Sequence, residues 1–495
     1  MFKEIAPKRF FISLALICFF VSWTLINLDL ATEIFSALQK EISNNLGWLI
    51  ILAANGFLIF ILYLSLSKYG GIKLGGEGAA PEFSYKSWIA MLFSAGLGIG
   101  LLFYGVAEPI IHLGSFPTEN EIAFSNKAQK SMNLTYLHWG LHGWSVYAVV
   151  GLCFAVSAYN LNMPFRISSM IDNRLTKKSF GRIGIDVLAI IATIFGIATS
   201  LGLGATQINT GLNYLGLAEQ SFINKIWIIA LITLLGLISV MLGLKTGIKK
   251  LSEINIVLCF SLLLIVFILG PTVFILNGVM QNIGSYIQNL ISLSTWSETY
   301  LDTSWQNDWT LFYYSWWFAW SPFVGLFIAR ISYGRTIKEF VIGVVLVPSL
   351  LVFLWMGIFG NAAIYLEHIV GISLSSVVNQ DVSTSLFIFL EQFPLAKILI
   401  SASLIIIITF FVTSSDSGAL VTSMLTAKNG ANQNEDPPIL ARLIWASSLG
   451  IVSIVLLAGG GLGALQTSVL VTGAPFAIII AIACFTLVKR LQKLI

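Results

Sequence analysis

Residues 309–336 read WTLFYYSWWFAWSPFVGLFIARISYGRT. The run is apolar and long enough to enter a bilayer, which takes about 20 residues of helix. Arg330 and Arg335 close it at an aqueous face. It is far more aromatic than a lipid-facing helix requires: five of the chain's 14 tryptophans lie between Trp305 and Trp320. At about 100° per residue, Trp316 and Trp320 share one helix face and Trp317 flanks it. Pro322 removes a backbone donor and predicts a kink, and Gly325 permits close approach one turn on. Trp305 and Trp309, at the start of the span, read as an interfacial belt. Trp316, Trp317 and Trp320 lie too deep for that and read as a site. Indole faces with no acid among them suit a permanently charged ammonium, which has no N–H to donate and is held by ring quadrupoles in a water-poor place.

One such span predicts others. The chain is 57% hydrophobic and 10% charged, with mean hydropathy +0.88. That balance excludes a soluble domain and a nucleic-acid partner, and predicts an all-α polytopic membrane protein whose partner is the lipid bilayer. Apolar runs fall at about 10–30, 48–68, 87–112, 132–160, 183–213, 224–244, 254–278, 306–331, 339–363, 395–426, 440–460 and 464–488. This is an expectation of about 12 transmembrane helices. With a cytoplasmic N-terminus, 22 of the 27 Lys and Arg residues fall on inside segments, so both termini are expected in the cytoplasm and the chain in the inner (plasma) membrane. The first run has no small-residue cleavage site behind it and reads as a retained helix. Few residues follow 488, so no long charged tail is expected as a sensor. Apolar Leu386 to Leu390, in the outer segment 364–395, reads as a re-entrant or surface helix, or a lid, rather than a span, and Asn282 to Ser292 as a short surface helix. Cys18, Cys153, Cys259 and Cys484 all sit in apolar runs and read as packing residues.

Three further constellations carry chemistry. Gly96, Gly98 and Gly100 stand at every second position of the third run, each costing helix about 1 kcal/mol against Ala. Unwound backbone survives in a membrane only where protein or a cavity satisfies it, and transporters use such breaks to bind ions and substrate at mid-depth. The run ends in Glu108-Pro109, expected near the outer mouth. On the fourth run, Trp144 and Tyr147 share a face at i, i+3, with Trp139 more than a turn earlier and to the side. His138 and His142, at i, i+4, lack a third ligand and do not make a metal site. On the tenth run, Thr409 to Ser417 gathers hydroxyls around Asp416. Hydroxyls and freed carbonyls suit a small alkali cation, but they also bond back to their own helix. There is no catalytic triad, phosphate loop, redox motif or cofactor signature, so the chain does not read as an enzyme.

MLFSAGLGIGLLFYGVAEP at 91–109, LHWGLHGWSVYAVVG at 137–151 and the stretch at 309–336 resemble the motifs of the betaine/carnitine/choline transporter family, and the likeness runs from about Ser87 to Lys489. The resemblance implies a LeuT-like core of two inverted five-helix repeats (87–280 and 304–495) joined through a linker or surface helix at 281–303. Two extra helices (1–86) precede it, and the assembly is expected to be a homotrimer. By the same resemblance Trp139, Trp144 and Tyr147 face Trp316, Trp317 and Trp320 as a trimethylammonium box. Gly96, Leu97, Gly98 and Gly100 form the unwound segment, with Leu97 where sodium-coupled relatives have Met. A sodium site would use Ala95, Leu97, Phe410, Thr413 and Ser414. A second would use Thr193, but Ile197 one turn later has no hydroxyl. Proton-coupled choline carriers tend to have Asp at the position of Gly100. The function implied is symport of a methylated quaternary-ammonium osmolyte, glycine betaine or a near relative, driven by sodium. Alternatives are a proton-coupled or exchange carrier for choline, carnitine or a sulfonium osmolyte and, from a different class, an ion channel.

Overall fold

The structure is a computed structural model, which describes the chain except residues 1–3, 97, 118–122, 173–178, 243–246, 302 and 429–436. The described residues form helices joined by short turns, with only two isolated β-bridges, Ile5 to Ala427 and Lys73 to Thr336. Pro7 opens α1 (Pro7–Ile26), where its missing N–H costs nothing. Asn27 separates α1 from α2 (Leu28–Leu66), its side-chain amide donating to the Trp23 carbonyl at 3.0 Å. The third run is two helices, α3 (Tyr85–Gly96) and α4 (Ile99–Ser115), with Gly98 extended between them. The fourth is also divided: α5 (Phe124–Trp139) and α6 (Leu141–Ala155) meet at Gly140, where a Cβ would stand 2.5 Å from Phe353. Then follow α7 (Ser179–Tyr214), α8 (Phe222–Leu242) and α9 (Gly247–Leu269).

At Gly270-Pro271 the chain turns by 111° into α10 (Thr272–Ser294). The seventh run, expected to reach 278, therefore ends at Leu269, and the short helix expected at 282–292 is the end of a 23-residue one. A proline after glycine cannot continue the helix, and hydropathy alone does not see the turn. The short α11 (Trp305–Asp308) leads into α12 (Thr310–Ile331), which runs through Pro322 without a break. Beyond it come α13 (Ile337–Val341), α14 (Val347–Tyr365), α15 (Leu374–Val378), α16 (Ser385–Glu391), α17 (Ala396–Thr426), α18 (Ile439–Ala458) and α19 (Gly461–Leu491). The apolar piece at 386–390 is α16, a short helix and not a span, with Leu386, Phe387, Phe389 and Leu390 buried on the side packed against α4.

Among the described residues nine helices are long and apolar enough to cross a membrane, or ten if the bent α9–α10 pair is one crossing. The chain is a multi-pass membrane protein. The other two expected runs are the broken α3–α4 pair and α12, whose three tryptophans and two tyrosines lower its hydropathy. Large apolar side chains face outward on the peripheral helices, among them Phe19, Trp48, Trp227, Met280 and Ile291, as expected of a lipid-facing surface. At the centre stands α12, packed against α6, α7, α19 and α2.

Candidate functional site

The rings singled out from the sequence meet where α12 crosses α5 and α6. Trp139 and Trp316 lie 6.1 Å apart edge to face, and Trp139 and Trp317 6.3 Å apart. Tyr147 stands 4.7 Å from Trp317. These three indoles are 7–8% exposed, so they are neither an interfacial belt nor sealed core. Backbone hydrogen bonds fix two of them: Trp317 Nε1 donates to the His138 carbonyl at 2.8 Å, and Trp316 Nε1 to the Gly196 carbonyl at 3.3 Å. The helices come this close because Gly143 lies against the Trp317 ring, where a Cβ would stand 2.2 Å from it.

The rings wall a cavity of about 50 Å³, lined by Gly98, Ile99, Gly100, Leu101, Trp139, Tyr147, Ser200, Trp316, Trp317 and Trp320. Among the described residues the lining contains no Asp, Glu, Lys or Arg. It combines aromatic faces with the first turn of α4, whose amides have no preceding carbonyl within the helix and carry the positive end of the helix dipole. Soft cation-binding walls on one side and anion-binding amides on the other suit a small zwitterion.

Of the expected wall residues, Trp139, Tyr147, Trp316, Trp317 and Trp320 line the cavity together with Gly98 and Gly100. Trp144 does not: its ring stands 5.7 Å from Tyr147 and 5.8 Å from Trp317, in the layer behind them. Leu97 lies outside the described residues, and of Ala95 and Gly96 only the helical backbone is described. Ser200, which the sequence did not single out, lies on the cavity wall, seven residues and two turns from Thr193 on the same face of α7.

Two of the hydroxyls expected at sodium, those of Thr413 and Thr193, have helix carbonyls as acceptors. Thr413 Oγ1 donates to the Thr409 and Phe410 carbonyls at 3.0 Å each, and Thr193 Oγ1 to the Ala189 carbonyl at 2.8 Å. Ile197 is buried and packs on α17 near Gly418. Asp416 lies inside α17, where it accepts from Ser239 at 2.6 Å and pairs with buried Arg442 at 3.7 Å.

Glu108, expected near the outer mouth, is fully buried in α4, which continues through Pro109. Oε2 accepts from Trp139 Nε1 and from the Tyr313 hydroxyl, both at 2.6 Å. Oε1 lies 2.6 Å from His138 Nδ1 and 3.2 Å from His112 Nε2. His138 and His142 do not act together: His142 Nε2 lies 3.2 Å from Asn55 Oδ1. Ligand atoms of Glu108, His112 and His138 all lie within 4.8 Å of one another. Each carboxylate oxygen already has two donors, so the cluster as built is a saturated hydrogen-bond centre. Trp305 is likewise no belt residue, being buried against Phe116 and His112 with ring centroids at 4.8 and 4.9 Å. The signal for this centre was Glu108 and His112 at i, i+4 on one helix face.

Known proteins resemble the chain along nearly its whole length. The profile of the betaine/carnitine/choline family of transporters matches residues 8–494. A glycine betaine transporter of Acinetobacter baylyi is 41% identical, over 99% of this chain and 74% of its own. The glycine betaine transporter OpuD of Bacillus subtilis is 41% identical, over 100% of this chain and 96% of its own. A glycine betaine/proline/choline transporter of Vibrio parahaemolyticus is 40% identical, over 99% and 90%.

Proposed function

The chain belongs to the betaine/carnitine/choline transporter family, is a transporter and not an enzyme, and from that premise we propose that it imports a methylated quaternary-ammonium osmolyte, glycine betaine or a near relative, by sodium-driven symport across the cell membrane. The observation that carries the reading is the cavity walled by Trp139, Tyr147, Trp316, Trp317 and Trp320 with no charged residue in its lining. An onium head in a dry aromatic cage gains about 2 kcal/mol per well-placed ring, enough for several rings to offset its weak hydration. The carboxylate of a zwitterion would face the amides at the start of α4. Gly100 favours a zwitterion over choline: a Cβ there would stand 2.5 Å from Trp139, so an acid at this position would displace a cage wall, and the carboxylate facing the first turn of α4 would be the substrate's own. The three named relatives all carry glycine betaine in their names.

In this reading the chain crosses the membrane twelve times with both termini in the cytoplasm. The broken α3–α4 pair, the α9–α10 bend and α12 complete the nine long apolar helices. Two inverted five-helix repeats follow α1 and α2 and rock about the cavity to expose it to either side. Carbonyls of Ala95, Leu97 and Phe410 with the hydroxyls of Thr413 and Ser414 would hold one sodium ion. Thr193 is a weaker candidate for a second, since Ile197 beside it offers no ligand. Three copies would form the assembly.

The test is uptake of radiolabelled glycine betaine into proteoliposomes under an imposed sodium gradient and, separately, a proton gradient, for the wild type and Trp317→Ala. Sodium-driven uptake that is lost in the variant is expected. Uptake driven by protons alone would overturn the coupling and keep the cage. Absence of betaine uptake under both gradients would move the substrate to choline, carnitine or a sulfonium osmolyte. Normal transport by Trp317→Ala would overturn the cage.

A further inference from the structure

The carboxylate of Glu108 lies one ring behind the cavity, bonded to the indole of Trp139, which is part of the cavity wall. We propose that Glu108 is the electrostatic half of the cage: a buried anion that sharpens the negative face of Trp139 and makes the site select a full positive charge over a neutral head of the same shape. The proposal rests on the cage reading above and adds a specificity determinant that touches no ligand.

Geometry sets the charge state. An ionised carboxylate has about four lone-pair directions to fill. Trp139 Nε1, the Tyr313 hydroxyl and the two imidazoles fill them at 2.6, 2.6, 2.6 and 3.2 Å. With Nδ1–H on His138 and Nε2–H on His112, a proton on Glu108 would be one donor too many. The imidazoles serve as neutral donors. His112 Nδ1 is buried with no partner, which suits a bare lone pair and would strand the second N–H of an imidazolium. In the tautomer that donates Nδ1–H to Glu108, His138 Nε2 accepts from the Thr310 hydroxyl, 3.0 Å away. Among the described residues no Lys or Arg lies within ion-pair distance of Glu108, so these neutral imidazoles leave its charge unbalanced.

An N–H donated to an anion pushes electron density into the indole, and density on the ring face is what a cation–π contact uses. The bare charge adds a direct attraction across the ring, in surroundings that screen it far less than water. The same charge repels an anion with an uncharged head. Glu108 therefore acts with opposite sign on glycine betaine and on its carbon isostere 3,3-dimethylbutanoate, which keeps the carboxylate and the three methyls but replaces the onium nitrogen by carbon. Merely holding the rings in place would act on both alike.

The experiment is equilibrium binding of both compounds to the purified full chain, wild type against Glu108→Gln, with Tyr313→Phe and Trp317→Ala alongside. Glu108→Gln keeps the shape and removes the charge. It is expected to weaken glycine betaine roughly tenfold or more while leaving dimethylbutanoate unchanged or tighter, so that the ratio of the two affinities falls by at least that factor. Tyr313→Phe removes one donor and keeps the charge, and should change that ratio by less than about threefold. If Glu108→Gln does not fold, His112→Lys sets a fixed positive charge beside the carboxylate without touching a cage ring, and the same fall in the ratio is expected. An unchanged ratio in the folded charge variant, or equal losses in Glu108→Gln and Tyr313→Phe, would overturn the proposal. Loss of betaine binding in Trp317→Ala with no shift in Glu108→Gln would sink Glu108 alone. Normal betaine binding by Trp317→Ala would sink the cage on which it rests.

Discussion

Adding one methyl group at Gly100 tests the cavity more sharply than removing a ring, because the structure says where the methyl would go. A Cβ on Gly100 would stand 2.5 Å from Trp139 Cη2 and 3.2 Å from both Trp139 Cζ3 and Trp316 Cη2. Carbon atoms rest at about 3.5–4.0 Å, so in Gly100→Ala the Trp139 ring must move by about 1 Å or more. It is not free to do so. Its Nε1 is bonded to Glu108 at 2.6 Å, and Tyr313, Trp316 and Trp317 crowd its other sides with centroids at 5.3, 6.1 and 6.3 Å. Either the charged hydrogen bond breaks, at about 1.5–3 kcal/mol, or the ring tips into a cavity of only about 50 Å³. A loss of about 2 kcal/mol corresponds to roughly 30-fold in affinity. Gly114 on the same helix is the control: a Cβ there meets nothing within 4 Å. Gly114→Ala should raise the unfolding temperature slightly, through a gain of up to about 1 kcal/mol in helix propensity, and leave binding untouched. The assay is glycine betaine binding to both purified variants, with thermal unfolding recorded on the same samples. In Gly100→Ala the propensity gain is set against the strain at Trp139, so binding lost in a variant that still unfolds cooperatively would isolate the cavity. A folded Gly100→Ala that binds with wild-type affinity would refute the assignment of this cavity as the binding site.

Three other outcomes follow from named contacts. Trp317→Leu keeps apolar bulk beside Tyr147 and Trp144 but removes the π face, and should cost about 2 kcal/mol of onium affinity in equilibrium binding; retained affinity would mean that apolar volume alone fills the role. Asp416→Ala strands the Arg442 guanidinium, which is 3% exposed, and should destabilise the fold by about 3–5 kcal/mol in thermal unfolding, with partial recovery in the double variant with Arg442→Met; an unchanged melting temperature would show that the 3.7 Å pair carries no weight. Thr193→Val removes a hydroxyl whose neighbour one turn on, Ile197, offers no ligand and should leave the sodium dependence of initial uptake rates unchanged, whereas Thr413→Val should raise half-saturation several-fold. A sodium shift in Thr193→Val would restore the second site.

Much of the site was legible because an α-helix turns spacing into direction. Trp316 and Trp320 at i, i+4 and Tyr147 on the fourth run reach one cavity, as helix periodicity requires. Periodicity ranks faces, not layers, and so Trp144, three residues before Tyr147, was read as a wall although it stands behind one. The hydroxyls of Thr193 and Thr413 were ambiguous for a different reason: the same oxygen that could meet a cation also reaches a carbonyl one turn back, and in the structure it does. Glu108 lay furthest from sequence reasoning. Next to Pro109 it looked like a helix end, but proline at this point is absorbed by a helix that continues to Ser115. Its donors come from 4, 30, 31 and 205 residues away, and no local pattern announces such a meeting. No acid stands among the rings in the sequence, and among the described residues none lines the cavity. Yet a carboxylate in direct contact with an onium would have to be dehydrated each time the site emptied and filled. Set one ring back and permanently hydrogen-bonded, its desolvation is met once, on folding, by four donors, and the wall it presents to the cavity stays apolar. Absence of charge from the lining and presence of charge in the field are compatible, and a site that must release its cargo gains from keeping them apart.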